Sequence, residues 1–299
     1  MHYYTLFGWN VASEFELPEL FEGDHEKEVE IKILAKEVAK ELKGVKKKGI
    51  GFQVKPGHYQ LNIDGVARFY VIEGREIQID IAPNADFKDV KVFLFASVLG
   101  GLCHLRSTLP IHASAVANRG YSYLFAGNSG SGKSTLVAAL QKEGLLALND
   151  DLSPIVFADD NAVLNQGIGR MKLWPDALKM LGKTTNRLYQ IRSDLEKYAL
   201  EIETAETSKE FPVKSIFILC PNIYTKKLTI KKVEGKEKLV KLMRQTYRSQ
   251  LINGFELEQE HFRKCALLSN QVDLYEIQQP RSVPSLNEQV ALIKKYIGV

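Results

Sequence analysis

The chain has 299 residues, of which 45% are hydrophobic and 25% are charged, as expected for one large or two smaller globular domains. Its net charge of +4 comes from interspersed residues of both signs, which does not favour a nucleic-acid partner. The three cysteines are widely spaced, which argues against a disulfide framework. The N-terminus lacks signal-peptide features, and no apolar run is long enough to span a membrane. These features predict a cytoplasmic protein without a membrane partner.

The first 85 residues are rich in predicted strands. Alternating or β-branched segments predict strands at residues 52–54, 59–63, 67–72 and 77–81. Asp-Gly and Glu-Gly pairs between the last three predict hairpin turns. A charged helix is predicted over residues 25–42, with the lysines of residues 43–48 at its C-terminal end. We therefore expect a strand-rich amino-terminal domain over residues 1–85, which either recognises the substrate or completes the fold.

The pattern changes after residue 85. Asp86 is expected to cap a helix that runs through Cys103. Two strands at residues 111–117 and 121–126 are then expected to pair and to turn at residues 118–120. These elements predict that a second domain occupies residues 86–299.

A glycine-rich loop follows the second of these strands. Residues 127–135 complete the phosphate-binding pattern G-x-x-x-x-G-K-[ST] between a predicted strand and a predicted helix. The N–H groups of such a loop surround a phosphate at the N-terminus of the helix, where the helix dipole favours an anion. Lys133 would add a charge near the β- and γ-phosphates of ATP, and the hydroxyl of Ser134 would ligate Mg²⁺. The predicted nucleotide-binding residues are Gly127, Asn128, Ser129, Gly130, Ser131, Gly132, Lys133, Ser134 and Thr135. The flanking strand and helix disfavour the alternative, a glycine-rich turn without a ligand.

Two neighbouring carboxylates are the next candidates. Asp150 and Asp151 follow the predicted strand at residues 145–148, at the carboxyl edge where ligands bind in open α/β sheets. Because side chains alternate along an extended backbone, one carboxylate would hold Mg²⁺ and the other would face the phosphate acceptor. The alternative is a pair of solvated turn carboxylates. His112, on the strand beside the loop-bearing strand, is either a catalytic residue or a core histidine, and both interpretations stay open.

The second half of the chain continues the alternation. A short helix is predicted to begin at Pro175, and the polar segment at residues 182–210 would act as a lid that excludes water. The remaining predicted elements are strands at residues 215–219, 228–232 and 272–277 and helices at residues 236–248, 258–268 and from Leu286 onward.

Several segments together resemble the catalytic domain of HPr kinase/phosphorylase and its relatives. They are residues 110–116, the glycine-rich loop and residues 148–151, in this order and at this close spacing. Residues 167–176 are similar to the Arg-x-Lys-Leu-Trp-Pro-Asp stretch of HPr-kinase-related proteins, including those that phosphorylate a lasso-peptide precursor at a terminal serine. Residues 7–9 and 13–20 are similar to the start of those relatives.

This resemblance implies an α/β fold with a P-loop nucleotide-binding core of the HPr kinase type and a strand-rich amino-terminal region. It implies ATP and Mg²⁺ as cofactors, with Lys133 among the catalytic residues and Ser134 and Asp150 at the metal. Asp151 would match the general base that takes the serine proton, and His112 would match the histidine beside the aspartate pair. A homo-oligomer is a further expectation from the family.

The resemblance also assigns a substrate role to two basic residues. Arg170 and Lys172 would neutralise charge on the transferred phosphate or on the acceptor, and an ion pair with a surface carboxylate is the alternative for each. The amino-terminal region does not resemble the regulatory domain of bifunctional HPr kinase, and the last third resembles the family weakly. Neither HPr as the substrate nor phosphorolysis is therefore implied.

The sequence thus favours an ATP-dependent kinase that transfers the γ-phosphate to a serine hydroxyl of a peptide or small protein. A kinase of a small molecule such as free serine is the nearest alternative, because it uses the same chemistry. A nucleotide-binding regulator with slow hydrolysis is an alternative of another class. The aspartate pair argues against the regulator, since a protein that only binds nucleotide needs no second carboxylate on the acceptor side.

Overall fold

A computed structural model describes residues 1–184, 188, 190–192, 195–202, 209–280 and 286–299. The strands within these residues form two nine-stranded sheets and one three-stranded sheet, and the helices pack against them. The fold is therefore a mixed α/β fold.

The first sheet contains the strands of the amino-terminal region: β1 (His2–Leu6), β2 (Trp9–Ser13), β3 (Phe21–Glu22), β4 (Ile31–Ala35), β5 (Lys47–Gly49), β6 (Phe52–Lys55), β7 (His58–Ile63), β8 (Ala67–Ile72) and β9 (Glu76–Ile81). Their order across the sheet is β3-β1-β2-β4-β9-β8-β7-β6-β5. Strand β4 is parallel to both of its neighbours, whereas the other pairs are antiparallel. The four predicted strands and the two predicted hairpin turns are confirmed.

The helix predicted over residues 25–42 is wrong. This segment instead contributes the central strand β4, whose Ile31 and Ile33 are buried on either side of the exposed Lys32. That alternation has the period of a strand, and pairing with β2 and β9 outweighs the helix propensity of the surrounding Glu, Lys and Ala residues. The lysines that follow have no helix to cap, and Lys47 begins β5 at the edge of the sheet.

A long helical segment covers the first sheet. It consists of α1 (Phe87–Phe93), a π-helical turn at Leu94–Val98 and α2 (Leu99–Leu105). The side chain of Asp86 caps α1 by accepting a hydrogen bond from the Lys88 N–H at 2.8 Å, as predicted. Val90, Leu94 and Leu102 share one hydrophobic core with the strands of the first sheet. The division of the chain after residue 85 stays a prediction.

The remaining strands are β10 (Leu109–Ile111), β11 (Ala113–Asn118), β12 (Tyr121–Ala126), β13 (Leu146–Asn149), β14 (Ser153–Ala158), β15 (Asn161–Asn165), β16 (Arg170–Leu173), β17 (Gln190–Arg192), β18 (Leu195–Glu201), β19 (Glu210–Asn222), β20 (Thr229–Val233) and β21 (Asp273–Pro280). The second sheet has the order β10-β14-β15-β19-β12-β11-β13, with β21 beside β19 and β20 beside β21. Strands β12, β19 and β21 are mutually parallel. Strand β11 is antiparallel to both β12 and β13, so these two strands end at the same edge.

Helices cover both faces of the second sheet. They are α3 (Lys133–Lys142), α4 (Pro175–Met180), α5 (Gly235–Arg244), α7 (Glu258–Gln271) and α8 (Leu286–Ile297). The short helix α6 (Ile252–Phe255) instead packs against the first sheet, and its Phe255 belongs to the core of that sheet. Tyr123 and Phe125 of β12 pack in the core formed with α3 and α8, while Leu124 packs in the core formed with α5 and α7. The predicted short helix at Pro175 and the predicted last helix are confirmed, whereas the helix predicted over residues 236–248 ends at Arg244.

The third sheet lies in the region predicted to be a lid. It has the order β16-β18-β17, and β17 and β18 come from residues 182–210. Part of this predicted lid lies outside the described residues, and its closing over a ligand stays a prediction. Nowhere in the described part of the chain is a helix long and apolar enough to span a membrane.

Candidate functional site

The glycine-rich loop connects β12 to α3, because α3 begins at Lys133 and β12 ends at Ala126. Gly127 has a φ of +138° and Gly132 a φ of +96°, which side chains other than glycine rarely adopt. A Cβ on Gly127 would also lie 2.7 Å from the carbonyl oxygen of Leu219 on the neighbouring β19. Glycine at these positions therefore follows from the backbone path, which turns sharply from the sheet into the helix.

Lys133 is folded over this loop. Only 4% of the residue is exposed, and its ammonium group donates hydrogen bonds to the carbonyl oxygens of Gly127 at 2.9 Å and Asn128 at 3.2 Å. Burial lowers the pKa of Lys133, while the charges of Asp151 and Asp150 oppose that change. The hydroxyl of the buried Ser131 has no hydrogen-bond partner among the described atoms. The loop thus holds a buried cation and an unpaired hydroxyl.

Asp150 joins the loop helix to two strands. Its Oδ1 accepts hydrogen bonds from the hydroxyls of Ser114 at 2.8 Å and Ser134 at 2.6 Å, and its Oδ2 accepts one from the Lys172 N–H at 2.8 Å. Burial raises the pKa of Asp150, and the negative charge of Asp151 raises it further. The strand edge predicted from the sequence therefore does bring the carboxylate and the loop serine together.

Asp151 adopts an unusual backbone conformation next to Asp150. Its φ is +64°, and the Leu152 N–H donates to the carbonyl oxygen of Asp150 at 2.8 Å, which closes a γ-turn around Asp151. Such turns with a positive central φ are rare and strained, and strain of this kind is concentrated at functional sites. The Asp151 carboxylate pairs with the Lys172 ammonium at 2.8 Å. Burial opposes ionisation of Asp151, but the charge of Lys172 and this hydrogen bond outweigh burial and hold the pKa of Asp151 below its usual range.

His112 lies in a bend between β10 and β11 rather than on a strand, close enough to Asp151 for the charge of that residue to affect its pKa. The backbone N–H of His112 donates to the carbonyl oxygen of Gln245 at 2.7 Å. The imidazole ring packs edge-on against Tyr247, with 5.5 Å between ring centroids. Burial, reinforced by the charge of Lys133, lowers the pKa of His112 to about 4. The imidazole is therefore neutral at pH 7, which is compatible with either interpretation of this residue.

The two basic residues predicted to contact substrate have different surroundings. Lys172 lies at the site and pairs with Asp151. Arg170 instead forms an ion pair with Glu19 at 2.8 Å, and both side chains are only 8% exposed. Glu19 also pairs with Lys91 at 2.6 Å. Arg170 thus forms an ion pair, the alternative to a substrate role. Its partner Glu19 is a buried carboxylate of the amino-terminal region rather than a surface one.

The loop lies between two cavities. The larger, of about 750 Å³, is lined by the loop and by residues at the carboxyl ends of β19 and β21, among them Asn222 and Gln279. The smaller, of about 100 Å³, shares several loop residues with the larger and is also lined by Asp151, Lys172, Trp174 and Lys197. The larger volume is within the range of small-molecule sites in proteins.

Sequence reasoning missed three residues of this region. The first is Ser114, because nothing in a run of Ala and Ser indicates a bond to a carboxylate 36 residues later. Trp174 follows β16 directly and keeps an extended backbone, so strand alternation could have placed it on the same face as Lys172. No local signal indicates Lys197, which reaches the smaller cavity only through the pairing of β18 with β16.

The residues expected at a metal ion are Ser134 and Asp150. Magnesium in nucleotide sites usually takes one or two protein oxygens together with phosphate oxygens and waters. The Ser134 hydroxyl and the Asp150 carboxylate offer two such oxygens 2.6 Å apart, and they fit this donor set. The described residues contain no group of three or more His, Cys, Asp or Glu side chains that could hold a metal ion by itself.

No protein-family model and no curated protein matches this chain. Among solved structures, the chain is similar to the Hpr(Ser) kinase/phosphatase from Coxiella burnetii. The sequence identity is 13%, the TM-score is 0.31, and the match covers 62% of this chain and 96% of that chain. The likeness is distant.

Proposed function

We propose that the protein is an ATP-dependent kinase that transfers the γ-phosphate to a serine hydroxyl of a peptide or small protein. The observation that carries this proposal is the meeting of the glycine-rich loop with the aspartate pair, joined by the hydrogen bond from Ser134 to Asp150 at 2.6 Å. A phosphate-binding loop beside two carboxylates of opposite pKa shift is the set of groups that phosphoryl transfer to an alcohol requires.

The loop would bind the phosphates of the nucleotide. Its N–H groups lie at the N-terminus of α3. The Lys133 ammonium, which donates to the loop carbonyls of Gly127 and Asn128, would turn to the phosphate oxygens. The cavity of about 750 Å³ on one side of the loop would hold the nucleoside. Ser134 and Asp150 would hold Mg²⁺, which when bound neutralises phosphate charge.

Asp151 would act on the acceptor side. Its pKa lies below the usual range, so the carboxylate is ionised at pH 7 and can accept a hydrogen bond from the serine hydroxyl. As the serine oxygen bonds to the γ-phosphorus and the bond to ADP breaks, the serine proton passes to this carboxylate and then to solvent. Because a carboxylate of low pKa is a weak base, we expect Asp151 to act mainly by orienting the hydroxyl.

The experiment measures ATP turnover with Mg²⁺ against a panel of acceptors, which contains free serine, HPr and peptides that end in serine. We expect the wild-type protein to phosphorylate one class, and Asp151→Asn to lose transfer while still binding ATP. Asp64→Asn, in an exposed hairpin turn, is the matched control and should retain full activity. Tight ATP binding without transfer to any acceptor, unchanged by Asp151→Asn, would favour the nucleotide-binding regulator instead.

A further inference from the structure

The smaller cavity receives a lysine from outside the loop and the aspartate pair. Strands β16 and β18 are antiparallel, with Lys172 opposite Ala199 and Leu173 opposite Tyr198. One step further along this register, Trp174 lies opposite Lys197. Since side chains alternate along each strand, Lys172, Trp174 and Lys197 share the face that lines the cavity.

The Lys197 ammonium lies over the indole of Trp174, 4.7 Å from the ring centroid. Trp174 is 47% exposed, so the ring forms an accessible platform at the rim of the cavity. Among the residues described, no carboxylate lies within 4.0 Å of this ammonium. A cation–π contact of this kind positions a lysine without neutralising its charge.

The other charges around the cavity are already balanced or engaged. Lys172 is paired with Asp151, and Lys133 is bonded to loop carbonyls. Lys197 is thus a further cation at this cavity, and among the described residues it has no carboxylate partner. It lines the same small cavity as Asp151 and the loop residues Ser129 and Gly130.

We propose that Lys197, seated on Trp174, binds the terminal phosphate of the nucleotide from the acceptor side and so distinguishes a nucleoside triphosphate from a diphosphate. This inference rests on the proposed function, because it takes the loop as the site of the other phosphates. The lysine reaches the phosphate from the opposite side to Lys133 and adds charge where the transferred group lies.

The chain offers a matched control for this pair. Lys214 lies over the exposed Tyr121 at 5.0 Å from the ring centroid, which is the same kind of contact away from the cavity. A purely structural cation–π contact would make Lys197→Ala and Lys214→Ala equivalent in their effect on nucleotide binding.

Dissociation constants for ATP and ADP are measured by calorimetry for the wild-type protein and for Lys197→Ala, Lys197→Gln, Lys197→Arg and Lys214→Ala. We expect the alanine and glutamine variants of Lys197 to bind ATP about tenfold more weakly, the effect of losing one charge-assisted hydrogen bond. ADP affinity should stay within about twofold, since ADP lacks the phosphate in question. Lys197→Arg should retain most of the preference for ATP, and Lys214→Ala should retain all of it.

An unchanged ratio of ATP to ADP affinity in both neutral variants of Lys197 would overturn the inference alone. An equal loss of both affinities would also overturn it, because that result describes a general electrostatic effect. Failure of the wild-type protein to bind either nucleotide would overturn the proposed function and this inference together.

Discussion

Replacing Asp150 by Asn removes one charge and leaves the shape of the side chain unchanged. Asp150 is only 7% exposed, and its carboxylate accepts hydrogen bonds from Ser114, Ser134 and the Lys172 N–H. The backbone N–H of Lys172 can only donate, and the side-chain oxygen of Asn can accept this hydrogen bond in place of the carboxylate. The Asn amide can donate to the two hydroxyls, which can rotate to accept. All three contacts can therefore persist in Asp150→Asn.

Two opposing effects set the change in the free energy of unfolding. Three bonds to a charged acceptor become bonds between neutral groups, each weaker by about 1 kcal/mol, or about 3 kcal/mol together. Against this, the variant no longer buries a charge beside Asp151, and burying a charge costs several kcal/mol. The raised pKa of Asp150 indicates that burial and Asp151 outweigh the hydrogen bonds. We therefore expect the free energy of unfolding of Asp150→Asn at pH 7 to be no more than about 1 kcal/mol below that of the wild-type protein.

The sign of the pH dependence follows from the same shift. A carboxyl whose pKa is raised by folding binds more protons in the folded chain, so it weakens folding as the pH rises through the folded-state pKa. The stability of Asp150→Asn relative to wild type should increase over that range. Asp150→Ala, by contrast, leaves three donors without an acceptor and should be less stable than Asp150→Asn by about 3 kcal/mol or more.

Urea unfolding from pH 4 to 8 measures these differences, and calorimetry measures Mg²⁺-dependent nucleotide binding. Asp150→Asn should fold like the wild-type protein yet lose the effect of Mg²⁺ on ATP affinity, while Asp64→Asn should change neither. If Asp150→Asn proves as unstable as Asp150→Ala, the charge itself stabilises the fold and the reasoning is refuted. Retention of the full Mg²⁺ effect by Asp150→Asn would refute the metal role of this residue.

Three further predictions address the surroundings of the site. Because burial holds the pKa of His112 near 4, the free energy of unfolding should fall as the pH drops from about 6.5 to 4, by up to about 1.4 kcal/mol per pH unit. In pH-dependent urea unfolding His112→Gln should flatten this slope, and an unchanged slope would contradict the assignment. Gly127→Ala should lower the free energy of unfolding by about 2 kcal/mol or more, because its Cβ would lie 2.7 Å from a backbone oxygen. Gly130→Ala would meet no described atom and should lower it by about 1 kcal/mol. Equal losses for the two variants in thermal unfolding would contradict this argument. Ser114→Ala and Ser153→Ala each remove one hydroxyl hydrogen bond of a fully buried serine, and each should lower the free energy of unfolding by about 1 kcal/mol. In calorimetry, only Ser114→Ala should weaken Mg²⁺-dependent ATP binding. Equal ATP binding by the two variants would argue against a role of Ser114 in the site.

Much of the second sheet could be predicted from the sequence because its signals are local. Glycines at positions 127 and 132 mark the two backbone conformations that the loop needs, and the flanking strand and helix were predicted where β12 and α3 lie. The aspartate pair directly follows a predicted strand, so its position at the sheet edge also followed from neighbouring residues.

The segment at residues 25–42 shows where such signals fail. Its Glu, Lys and Ala residues favour a helix, yet β4 pairs with β2 and β9, and its Ile31 and Ile33 are buried in the core. Those partners are far away along the chain, and their hydrogen bonds decide the conformation. Arg170 is a second case, because its buried partner Glu19 precedes it by 151 residues.

The loop, its helix and the position of the aspartate pair at the end of a strand follow from local sequence, since glycine conformations and strand ends depend on neighbouring residues. The side chains that surround these groups instead depend on the tertiary fold. Ser114 reaches Asp150 because β11 lies between β12 and β13, and Lys197 faces Trp174 because β18 pairs with β16. Such contacts depend on strand order and register, which arise from the packing of distant segments and leave no mark at either residue.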